Sequence, residues 1–179
     1  MTKADELQAQ GIKLYTQHDY EAAGRAFQDA QSAYAEADQP DMVAEMQVNT
    51  GLVHRALGEH QQALELMQEA LRTFQDLGDD KRAAQVLGNL GGVYLALSDK
   101  EQALNAYRQA ADIFLELDET QLYSETMMAL GSLQVRDGKI FTGAATYQIG
   151  LESLQDPSPR QKLMKRLTGF ITSLSGGNR

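Results

Sequence analysis

Cysteine is missing from all 179 positions, which excludes disulfides, thiol nucleophiles and every cysteine-based metal site. That fits a reducing compartment, and the chain is expected to be cytoplasmic. Tryptophan is absent too, and no apolar run nears the roughly 18 residues of a membrane span, so integral membrane association is not expected. The opening segment MTKADELQAQ holds no apolar core of a secretory signal. Positive charge is short. Sixteen Lys and Arg against 25 Asp and Glu leave −9 and a pI near 4.8, which argues against nucleic acid, because a phosphate backbone needs clustered cations. Histidine occurs three times, and no HExxH, Gly-rich phosphate loop or Gly-x-Ser-x-Gly is present. No enzyme, metal or cofactor is therefore expected. Strand-like alternation is lacking throughout, and the length suits one domain or one repeat array.

What is present is a period. Gly11, Gly51, Gly91 and Gly131 stand 40 residues apart, as do Ala23, Ala63, Ala103 and Gly143, and Phe27, Met67, Tyr107 and Tyr147. Ala30, Ala70, Ala110 and Gly150 keep the same step, followed by Tyr34, Phe74, Phe114 and Leu154. Within a copy the spacing is helical: Ala63, Met67, Ala70, Leu71 and Phe74 line one helix face, and Leu87, Leu90, Gly91, Tyr94 and Leu97 another. Breakers separate the halves at His18-Asp19, Gly58-Glu59, Ser98-Asp99 and Gly138-Lys139. Polar junctions close the copies at Asp38-Gln39-Pro40-Asp41, Gly78-Asp79-Asp80 and Asp156-Pro157-Ser158-Pro159. Ser98-Asp99-Lys100-Glu101 is expected to form a capping box, and Gly78 a left-handed C-cap. Each copy is thus helix, turn, helix, turn. One such hairpin cannot bury its own apolar stripe, so neighbours must stack. A glycine in mid-helix costs about 0.5–1 kcal/mol relative to alanine, so four in register imply a packing reason.

Gly91-x2-Tyr94 followed by Ala103-x3-Tyr107-x2-Ala110 resembles the tetratricopeptide repeat. The period of 40 in place of 34, the replacement of the tryptophan column by Leu7, Gln47, Leu87 and Met127, and the missing closing proline resemble the longer subclass of kinesin light chains and spindle-orientation adaptors. The resemblance implies an all-α, right-handed α-solenoid of four helix hairpins (approximately 1–38, 39–78, 79–118 and 119–158), a C-terminal capping helix over 160–175 and a disordered tail over 176–179. It also implies that the first helix of each copy lines a concave groove. Positions counted from the glycine column place Ile12, Tyr15, Val48, Asn49, Leu52, Arg55, Gly88, Asn89, Gly92, Leu95, Met128, Val135 and Arg136 in that groove, together with the acids Asp5, Glu45 and Glu125. In similar repeats an asparagine at the place of Asn49 and Asn89 hydrogen-bonds the main chain of an extended peptide, a task suited to an amide that donates and accepts at once. Several Lys and Arg needed to clamp a chaperone's C-terminal carboxylate are wanting, so a partner with apolar anchors and basic residues is expected. His54 replaces the tyrosine of the Gly-x2-Tyr motif and is expected to pack on its own hairpin.

Residues 160–179 carry five basic side chains and no acid, leaving −14 on the first 159. Leu163, Leu167, Phe170, Ile171 and Leu174 recur at helical spacing, so an amphipathic helix is expected, with its apolar side over the last repeat and its basic side in water. The sharper alternative is a docking helix for an anionic membrane or a neighbouring subunit. The expected function is a noncatalytic adaptor or assembly factor that binds a protein or peptide partner. A self-associating homodimer is the alternative, and a peptide-sensing regulator a third reading for which no DNA-binding segment is evident.

Overall fold

The computed structural model describes residues 1–154 and 157–176, so Gln155, Asp156 and the tail expected at 177–179 lie outside the described residues. Nine α-helices and no strand occur among the described residues, in keeping with the all-α expectation. They fall into two compact units, 1–99 and 100–179, divided inside the third copy.

The first unit holds α1 (Lys3–Thr16), α2 (Tyr20–Glu36), α3 (Pro40–Leu57), α4 (His60–Asp76) and α5 (Asp80–Ala96), each packed against the next. Local chemistry starts these helices. Thr2 and Asp5 form a reciprocal capping box, with Asp5 N donating to Thr2 Oγ1 (3.2 Å) and Thr2 N to Asp5 Oδ2 (2.7 Å). Asp19 and Asp79 accept from the N–H groups of Ala22 and Arg82, and Pro40 takes the first position of α3, where no N–H is needed. Two apolar clusters result, one around Phe27, Tyr34 and Met46 and one around Met67, Phe74 and Val93. The glycine column has the expected packing reason: a Cβ on Gly11 would sit 2.6 Å from the Phe27 ring.

The helices end as regularly as they begin. His18, Asp38, Gly58, Gly78, Ser98, Asp118 and Gly138 all have positive φ, between 54° and 83°, and they stand 20 residues apart. After each, the next N–H bonds the carbonyl five residues back, as from Asp19 to Leu14 (3.0 Å) and from Asp99 to Tyr94 (2.8 Å). This is the hydrogen bond of the Schellman ending. Gly78 takes its expected place. The capping box expected at Ser98 does not form: Ser98 has φ 65° and closes α5, so Asp99 is the residue that precedes the next helix.

The second unit holds α6 (Lys100–Glu116), α7 (Thr120–Arg136), α8 (Ile140–Ser153) and α9 (Pro159–Gly176). Helices α7 and α8 meet backbone to backbone. A Cβ on Gly131 would lie 2.5 Å from Tyr147 N, and one on Gly150 would lie 2.7 Å from Ser124 O. The fully buried Ser124 hydroxyl donates to Gly150 O at 2.5 Å. The glycines that replace alanine in the fourth copy therefore set its closest helix contact.

Helix α9 forms and packs on α8, but with its other side turned inward. Leu163, Leu167, Phe170 and Leu174 are 48–64% exposed, and only Ile171 of the expected stripe is half-buried. The inward side carries Met164, buried Thr168 and Thr172, whose hydroxyl hydrogen-bonds Gln148 Oε1 (3.1 Å). Threonine can face a neighbour at small cost because its hydroxyl is satisfied by its own helix. Thr168 Oγ1 donates to Met164 O at 2.9 Å.

Candidate peptide-binding face

In the first unit the opening helices of successive copies are tied together. Gln8 Nε2 on α1 donates to Glu45 Oε1 on α3 (2.8 Å), and Arg82 on α5 reaches Asp41 (3.2 Å) and Glu45 (3.6 Å) on α3. Of the residues expected in the groove, Ile12 is exposed, while Tyr15, Val48, Asn49, Leu52, Arg55, Gly88, Asn89, Gly92 and Leu95 are half-buried. Several of these also serve the core. Val48 and Leu52 pack on the Met67–Phe74 cluster, and Tyr15 stands edge-on to Tyr20 at 5.4 Å. Above Gly88 there is open space, with nothing within 4 Å of where a Cβ would stand.

Asn49 and Asn89 occupy matching places on α3 and α5, and neither amide has a side-chain hydrogen bond within the described residues. Arg55 likewise has no ion pair there. Asn49, Asn89 and Arg55 are thus polar side chains of the expected groove without a partner among the described residues.

The acids Asp5 and Glu45 are hydrogen-bonded within the unit. Tyr34 OH bonds Asp5 Oδ1 (3.0 Å) and Gln8 Oε1 (2.8 Å). Burial first, then the neighbouring Asp5 carboxylate, pushes the Tyr34 phenol up to about 12, while the Thr2 N–H and the Tyr34 hydroxyl hold Asp5 below the usual carboxylate range. Glu45 is shared between Gln8 and Arg82. Burial opposes the charge of Asp79, but the Arg82 N–H and guanidinium (Nε–Oδ2 2.6 Å) outweigh it and keep this carboxyl low. Asp5 is thus held by neutral groups, and Glu45 shares the single Arg82 cation with Asp41 and Asp79. Arg82 itself escaped sequence reading. The available signal was a cation about one repeat downstream of two acids, Asp41 and Glu45.

In the second unit Met128 is half-buried and Val135 and Arg136 are exposed on α7, as is Glu125. Met128, Ala129 and Ser132 line a cleft of about 390 Å³ whose other wall includes Arg160, Gln161 and Met164 of α9. The chain's own last helix therefore borders the α7 face here. Two of the three histidines serve junctions: His18 Nδ1 pairs with Tyr20 OH (2.8 Å), and His54 Nδ1 with Glu59 Oε2 (2.5 Å) of its own hairpin, as expected for His54. No group of three or more His, Asp or Glu able to hold a metal ion occurs among the described residues, and no described helix is long and apolar enough to cross a membrane.

Residues 42–116 match the tetratricopeptide repeat family. Comparison with the curated proteins returns no match. Among solved structures the chain is similar to the crystal structure of BtubC (BKLC) from P. vanneervenii, with 20% identity and a TM-score of 0.68 over 98% of this chain. The chain spans 65% of the length of that structure. Residues 42–116 are thus tetratricopeptide repeats, set in an all-α chain of tandem helix hairpins.

Proposed function

We propose that the chain is a noncatalytic interaction module whose first unit binds an extended peptide segment of a partner protein along α3 and α5. Tetratricopeptide repeats in general mediate protein–protein interaction, and the finer reading is ours. One observation carries it: Asn49 and Asn89, 40 residues apart, hold half-buried amides with no partner among the described residues. Amides of this kind can read the N–H and C=O of an extended main chain whatever its side chains. Leu52 and Leu95 supply apolar anchors, the space over Gly88 admits a close approach, and Arg55 is free to meet an acidic group of the peptide. Met128, Val135 and Arg136 belong to the second unit and carry no part of this proposal.

Peptides selected from a random twelve-residue display library on the purified chain, then measured by fluorescence anisotropy, test the reading. Asn49→Ala with Asn89→Ala is expected to weaken them at least tenfold while Tm stays within about 2 °C, since neither half-buried amide has a hydrogen bond among the described residues to lose. Unchanged affinity, or a selection that returns no binder, refutes it.

A further inference from the structure

The outward side of α9 is a seam without a partner among the described residues. Leu163, Leu167, Phe170 and Leu174 are spaced four, three and four residues apart and are 57%, 48%, 64% and 60% exposed. At 3.6 residues per turn they fall within an arc of about 60° and run about 17 Å along the axis. Large apolar side chains in that arrangement are costly to leave in water, and the inward side of the helix already has its contacts through Met164, Thr168 and Thr172.

Charge frames the seam. Arg160, Lys162, Lys165 and Arg166 are exposed and make no ion pair with a described residue, and 159–176 contains no acid. By helical position Arg160 and Arg166 flank the apolar line on opposite sides, each about 60° from its centre.

These observations choose among occupants. A second α9 laid on the seam would bring these cations against their own copies if parallel, and in either direction offers them no acid, since 159–176 holds none. An anionic membrane suits a broad apolar face with aromatic anchors. This line is narrow, the chain has no tryptophan, and residues 1–159 carry −14. A narrow line spaced four and three is instead what a second helix packs against.

We propose that the outer seam of α9 seats an acidic amphipathic helix of another protein, about three turns long, with apolar residues on Leu163, Leu167, Phe170 and Leu174 and carboxylates beside Arg160 and Arg166. This surface is separate from α3 and α5 and stands or falls independently of the peptide reading.

The probes are two labelled 21-residue synthetic peptides with leucine at every a and d position, one with glutamate and one with lysine at every e and g. Anisotropy titrations with the full chain are expected to show saturable binding of the glutamate peptide and at least tenfold weaker binding of the lysine peptide. Leu167→Ser with Phe170→Ser, both at exposed positions, should remove the glutamate peptide's binding with unchanged circular dichroism. Arg160→Glu with Arg166→Glu should reverse the preference, which a general loss of folding cannot do. Equal affinity for both peptides, or a preference untouched by the charge reversal, overturns the proposal. So does finding that Leu167→Ser with Phe170→Ser abolishes either co-sedimentation with phosphatidylserine-containing vesicles or a concentration-dependent dimer in sedimentation velocity.

Discussion

Arg82, on α5, gathers contacts from α3, from α4 and from the residue that caps its own helix. Its guanidinium meets Asp79 at 2.6 Å, Asp41 at 3.2 Å and Glu45 at 3.6 Å, and lies 4.7 Å from the centre of the Phe74 ring. The side chain is 29% exposed, so water screens each pair and none is worth more than about 1 kcal/mol. The ring contact adds about 0.5–1 kcal/mol. Arg82→Met, which keeps the stem over Phe74 and removes the charge, is expected to cost about 1–2 kcal/mol in urea unfolding. No measurable loss would mean that the carboxylates are content in water. This hub also marks a limit of sequence reading. Columns 40 apart disclose which residues repeat, and so Gly11 against Phe27 was foreseeable. They do not disclose that Glu45 and Asp41 bond across copies, because their partners Gln8 and Arg82 have no counterpart at the matching places of the other copies.

At the scale of the element, a left-handed residue every 20 positions ends each helix from α1 to α7. Glycine adopts that conformation freely, whereas a residue with a Cβ is strained there by about 1–2 kcal/mol. Ser98, φ 65°, has no side-chain hydrogen bond among the described residues to offset this. Ser98→Gly is therefore expected to raise stability by about 0.5–1 kcal/mol, with Gly138→Ala (φ 81°) lowering it by a similar amount, both readable as shifts in Tm. A drop in Tm for Ser98→Gly would show that the serine does serve the following helix. The three glycine junctions were legible from composition. Ser98 was not, because the string Ser-x-x-Glu carries the signature of a cap and only the backbone tells that the serine sits one residue too early. Helix α9 shows the same limit in its packing. Amphipathic spacing located its apolar side, but which side meets α8 turned on Thr168, which satisfies its own hydroxyl and so tolerates burial.

Over the whole molecule the acidic excess and the paired carboxylates pull stability in opposite directions with pH. From neutrality toward the pI near 4.8, falling net charge relieves self-repulsion. Asp5, Asp79 and Asp137 then take over, each held below its ordinary value of 3.8, Asp137 by Lys139 and Lys100. The unfolded chain binds those protons first, so the stability they contribute is present above about pH 4 and is lost as pH falls through their folded values. Tm is expected to hold or rise from pH 7 to 5 and to decline below pH 4. A Tm that kept climbing to pH 3 would mean that repulsion outweighs all three pairings.

The evenly stepped helix endings bear on how such a chain grows. Severed after any two left-handed residues 40 apart, a block of two helices leaves ends with the same local backbone path that it entered with. Copying that block in frame adds a hairpin whose flanking turns are already of the right hand and whose buried columns stay in phase. Genes built this way lengthen by whole cassettes, and a junction at Gly58, Gly78 or Gly138 accepts the new splice with the least steric cost.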